Sequence, residues 1–207
     1  MRYNAIAVIF IFIIIIIAHL VVDAPYSWTE NTISELASQA YKYAWIMRLG
    51  FIGFGSLVTI GATQRIRSKR FLWYREMPLV VYGLGVLLSG IFSTHPFMPG
   101  VEYSEPESRL HSILATLAGV SISLGMLFYM LTEQSPRRKV VHLAAFVLTI
   151  TFSIFFGMST AGAGIGQRCL YLVGFAWLIY IETGFAERSV TGPIGGGATS
   201  PKRSDQS

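Results

Sequence analysis

From Ala5 to Val22 the chain has no Asp, Glu, Lys or Arg, and it includes five consecutive isoleucines, Ile13 to Ile17. A run of this kind fits the bilayer, where about 20 apolar residues form a helix long enough to cross roughly 30 Å of hydrocarbon. Comparable runs follow at 44–63, 77–93, 111–131, 140–159 and 168–186. Backbone groups in hydrocarbon have no water to bond, so each run is predicted to be helical. The expected fold is therefore all-α, a polytopic membrane bundle of six transmembrane helices forming one domain over 1–187. Composition agrees, with 53% hydrophobic and 13% charged residues among 207, too apolar for an ordinary soluble domain of this size.

The first run has a second reading as a signal peptide, since Arg2 precedes it and Val22-Asp23-Ala24 loosely fits a cleavage site. Pro25 immediately afterwards argues for an uncleaved anchor. Orientation follows from Lys and Arg. With the N-terminus inside, twelve are cytoplasmic (Arg2, Arg65, Arg67, Lys69, Arg70, Arg75, Arg137, Arg138, Lys139, Arg188, Lys202, Arg203) and four are outer (Lys42, Arg48, Arg109, Arg168). This bias predicts an N-in, C-in protein of the cell membrane. From 188 onward the tail is rich in Gly, Ser, Thr and Pro and reads as a disordered cytoplasmic end. The net charge of +5 lies in short loops beside apolar spans, which excludes a nucleic-acid face and points to membrane lipids as partners. No soluble partner is predicted. Cys169 is the only cysteine, so no internal disulfide or thiolate metal site can form.

Small residues recur on span two (Gly50, Gly53, Gly55, Ser56), span three (Gly83, Gly85, Ser89, Gly90) and span four (Ala115, Ala118, Gly119, Ser121, Ser123). In lipid they let helix backbones approach closely, which is a packing role. The polar residues are more informative. His19 and Asp23 share a face at the end of span one, Arg48 lies a turn inside span two, and His95 leaves span three. Arg109 and His111 begin span four, and Gln167 and Arg168 begin span six. Five spans thus deliver a titratable group to one outer layer, the default place to seek a site. Ser34 and Glu35 adjoin it, although Thr32-Ile33-Ser34-Glu35 also fits a capping box opening a short helix that runs into span two. A carboxylate, Asp23 or Glu35, is the expected partner of Arg48. His142 reads as a plain interfacial residue, and Glu182 as a partner for the basic loop at Arg65 to Arg75.

Taken in order, several segments resemble the domain-of-unknown-function 998 family of six-helix membrane proteins over about residues 5–187. They are Ile33-Ser34-Glu35-Leu36 before Arg48-Leu49-Gly50-Phe51, Gly90-Ile91-Phe92 leaving span three, His111 at the start of span four and Gly166-Gln167-Arg168 before span six. The resemblance implies the architecture and no reaction. Two principal functions compete. In the first, a non-enzymatic bundle binds a lipid headgroup or small amphiphile in the outer layer, with Arg48 and Arg168 facing its phosphate or carboxylate. In the second, a membrane-embedded hydrolase uses zinc on His19, His95 and His111, with Asp23 orienting or ligating and a zinc-bound water attacking a lipid. A b-type haem held by two histidines is a third reading. Transport is disfavoured because no span has a charge at its middle and no clear repeat is present.

Overall fold

The computed structural model describes residues 2–22, 25–68, 72–159 and 161–190, with side chains described to residue 183. Six helices form: α1 Tyr3–Leu20, α2 Ala44–Arg67, α3 Trp73–Ile91, α4 Glu105–Thr132, α5 Pro136–Met158 and α6 Ala163–Val190. A single 3-10 turn, Ser34–Ala37, precedes α2. Each helix packs on the next in sequence, and α6 returns to α1, closing the bundle. Five helices are long and apolar enough to cross a membrane: α1, α2, α4, α5 and the 163–183 part of α6. α6 continues to Val190, past the position 188 at which the tail was expected to begin. Residues 191–207 lie outside the described residues.

The closest approaches are made by the small residues. A Cβ on Gly55 of α2 would come within 2.4 Å of the Gly83 carbonyl of α3, and one on Gly83 would come within 2.4 Å of Thr59 Oγ1. Side chains there would force the helices apart. Gly85 meets Ala118 of α4 in the same manner, at 3.0 Å. Large apolar residues instead face outward, including Ile9, Ile13 and Ile16 on α1 and Val140, Val147 and Ile154 on α5. Small residues where helix backbones approach and large apolar side chains on the exterior are what a lipid solvent selects.

α3 begins at Trp73, four residues before the expected Met77, so Arg75 and Glu76 lie inside the helix and are buried. The 3-10 turn is likewise shorter than expected. Ser38 is extended (φ −66°, ψ 160°), so the turn stops there and does not run into α2.

Candidate functional site

At the end of the bundle distal to the N-terminus, the chain between α1 and α2 folds over the start of α6. Amide N–H groups of Gly164 and Ile165 donate to the carbonyls of Glu30 and Thr29, both at 3.2 Å. These are N-terminal helix donors, which otherwise have no partner inside the helix. The seat requires glycine, since a Cβ on Gly164 would lie 2.5–2.8 Å from the carbonyl oxygens of Asn31, Trp28 and Thr29.

Arg168, one turn into α6 and buried, fastens this arrangement. Its Nη1 donates to the carbonyls of Asn31 and Gly164 at 2.9 Å each, and its Nη2 donates to Tyr26 Oη at 2.8 Å and His19 Nε2 at 2.9 Å. The Trp28 ring lies over the guanidinium at 4.7 Å. His19 Nδ1 lies 2.7 Å from the Ile15 carbonyl, which assigns the proton to Nδ1 and leaves Nε2 to accept from Arg168. Tyr26 passes its own proton to the Thr32 carbonyl at 2.9 Å. Burial pushes the Tyr26 phenol above its ordinary value, against the opposing pull of Arg168.

Gln167 works beside it. Its Oε1 accepts from the Ile33 amide at 2.6 Å, and its Nε2 donates to Ser34 Oγ at 3.3 Å. The predicted capping box is present: Glu35 Oε2 accepts from the Thr32 amide at 2.5 Å, and the Glu35 amide donates to Thr32 Oγ1 at 3.2 Å. Ser34 and Glu35 therefore hold the turn in shape, and neither reaches Arg48.

A second group joins the start of α2 to the α3–α4 connection. Arg48 donates only weakly, from Nε to the Ala37 carbonyl at 3.4 Å. The carboxylate expected beside it is not found among the described residues, and Asp23 lies outside them. Next to Ala37, the Gln39 amide donates to the Thr94 carbonyl at 3.0 Å, while its side chain donates to the carbonyls of Ser93 and Ser104. Ser38 and Ser93 flank these bonds in sequence. Both are fully buried, and both hydroxyls lack a partner among the described residues. His111 is buried with Nδ1 at 3.0 Å and 2.9 Å from the carbonyls of Ser89 and Phe92, closing the end of α3. His95 is exposed and lies against Tyr103.

The histidines proposed for zinc have separate occupations. His19 has both ring nitrogens engaged, His111 has Nδ1 on backbone carbonyls, and His95 faces outward. Among the described residues, no group of three His, Cys, Asp or Glu side chains is placed to hold a metal ion.

Sequence reasoning missed a second polar centre at the opposite end. Glu76, fully buried on α3, accepts from Arg65 Nε of α2 at 2.8 Å and from the Tyr129 hydroxyl of α4. Arg75 stacks on the Tyr129 ring at 4.0 Å. His142, expected at an interface, is instead buried and accepts from Trp177 Nε1 at 3.0 Å, between the rings of Tyr129 and Tyr180. Glu182 pairs with none of the described basic residues between Arg65 and Arg75. Its carboxylate accepts from the Asn4 and Ala5 amides at 3.0 and 2.9 Å, capping α1 from another helix. The one sequence signal for this centre was the Arg75-Glu76 pair directly against an apolar run. Starting the span at Met77 placed that pair in a loop.

Long apolar helices with lipid-compatible exteriors and polar groups collected at both ends define a multi-pass membrane protein. A family model described as a protein of unknown function (DUF998) matches residues 5–182, and the chain belongs to that family. No curated protein and no solved structure matches it. The segments that carried the resemblance meet at the distal end. Gln167 and Arg168 bind the 31–34 backbone, a Cβ on Gly90 would come within 2.9 Å of the Arg48 carbonyl, and His111 closes the Gly90–Phe92 exit.

Proposed function

We propose that the chain is a six-span protein of the cell membrane with both termini in the cytoplasm, and that its distal end binds an anionic lipid headgroup or small amphiphile at Arg48. The twelve-to-four division of Lys and Arg supports the orientation. Nineteen residues give α3 a length of about 28 Å at 1.5 Å per residue, which supports its counting as the sixth span. The ligand reading moves away from Arg168, whose guanidinium is consumed by four protein acceptors. The observation that carries it is the half-buried Arg48 guanidinium, with one long bond and no carboxylate partner among the described residues. A guanidinium left in this way suits a phosphate or carboxylate.

Native mass spectrometry of the detergent-solubilised full chain with short-chain phosphatidylglycerol tests this. Wild type is expected to retain the lipid, and Arg48→Gln to lose one bound molecule, with affinity at that site falling roughly tenfold or more. Equal retention by both proteins, or no retention by wild type, overturns the reading. A fluorescent protein fused to the C-terminus should be protected from external protease in intact cells; cleavage there would overturn the orientation.

A further inference from the structure

The second polar centre holds a cation that the described residues leave unanswered. Arg75 is 8% exposed, its Nε is sealed from solvent without an acceptor, and its side chain has no hydrogen-bond or ion-pair partner among the described residues. Its contact is the face of the Tyr129 ring at 4.0 Å. The neighbouring carboxylate is already committed, since Glu76 receives both Arg65 and the Tyr129 hydroxyl. Glu133 accepts from the amides of Gln134 and Ser135 just beyond α4. Stacking on an aromatic ring offsets only part of the cost of desolvating a guanidinium. Buried charges in proteins are otherwise paired.

We propose that Arg75 is the anchor of a second anion site, at the N-terminal end of the bundle, which takes a phosphate-bearing ligand. The ligand is either the headgroup of an anionic phospholipid or free phosphate. Tyr129 holds the guanidinium flat from one side and is itself held by Glu76. The Arg65–Glu76 pair ties the end of α2 to the first turn of α3 beside it. Arg75 lies in the first turn of α3, and Leu72 and Trp73, exposed beside it, offer an apolar edge for an acyl chain. This site is independent of Arg48 and of the direction in which the bundle faces.

The test is thermal unfolding of the full chain in detergent, carried out in the Arg48→Gln background so that only this site responds. Inorganic phosphate and short-chain phosphatidylglycerol serve as separate probes, with short-chain phosphatidylcholine as control. A saturable rise in Tm with both anionic probes assigns free phosphate chemistry, and a rise with phosphatidylglycerol alone assigns the headgroup of a lipid. Arg75→Met should weaken the response roughly thirtyfold or more, and Arg75→Lys should keep part of it. After delipidation, Arg75→Met should be at least as stable as its parent, because it removes an unpaired buried charge; a purely structural arginine would give the opposite result. The proposal is overturned if neither anionic probe raises Tm, if phosphatidylcholine does so equally, or if Arg75→Met responds like its parent.

Discussion

Replacing Arg168 with methionine keeps the apolar stem of the side chain and removes four hydrogen bonds, three of which tie α6 to α1 and to the 25–34 segment while the fourth, to the Gly164 carbonyl, lies within α6. Bonds from a charged donor contribute about 1.5–3 kcal/mol each, so a simple sum over four acceptors would reach roughly 6–12 kcal/mol. Two effects reduce it. The substitution also relieves the desolvation of a guanidinium buried to 8% exposure, a penalty of several kcal/mol. In addition, Tyr26 keeps its bond to the Thr32 carbonyl and His19 keeps Ile15. The expected net loss is therefore about 3–5 kcal/mol, in the range for breaking a buried charged network. For a chain of this size each kcal/mol lowers Tm by roughly 2–4 °C, so Arg168→Met should melt about 6–20 °C below wild type in a detergent unfolding scan. Arg168→Lys keeps the charge without the planar fork and should fall between the two. Exposed Arg109 provides the control, and Arg109→Met should stay within about 2 °C. If Arg168→Met also melts within about 2 °C of wild type, the guanidinium is not what holds the distal end together.

The raised phenol of Tyr26 predicts an alkaline sensitivity. Because its folded pKa exceeds the ordinary value of 10.0, the folded state holds the proton more tightly than the unfolded state; the stabilisation is complete below about pH 10 and is lost as pH rises toward the folded pKa. A pH series of unfolding midpoints should show this decline, and Tyr26→Phe should flatten it while lowering stability at neutral pH. Close packing of α2 on α3 predicts that Gly55→Ala, whose Cβ would sit 2.4 Å from the Gly83 carbonyl, costs about 1–3 kcal/mol. Gly119→Ala, with nothing within 4 Å, should be neutral or slightly stabilising, and equal Tm values for the two variants would refute the packing argument.

The segments in which the helices form and the packing role of the glycines were legible from the sequence. Each depends on local composition: a run of about 20 apolar residues has few alternatives in a bilayer, and small residues mark close backbone approach whatever the partner. The Thr32–Glu35 capping box was legible for the same reason, since its two bonds span three residues. Partners distant in sequence were not. Nothing near Glu182 indicates that it caps α1, nothing near Arg48 indicates that Glu35 turns instead to the Thr32 amide, and nothing near His19 indicates that Arg168 occupies its second nitrogen. Such pairings depend on which helix ends arrive side by side, and closure of α6 onto α1 decides that. The sequence alone therefore determined a membrane-type helical bundle with polar groups at its ends. Tertiary structure decided which of those groups are used up in holding it together, and which, Arg48 and Arg75, have no ion-pair partner among the described residues.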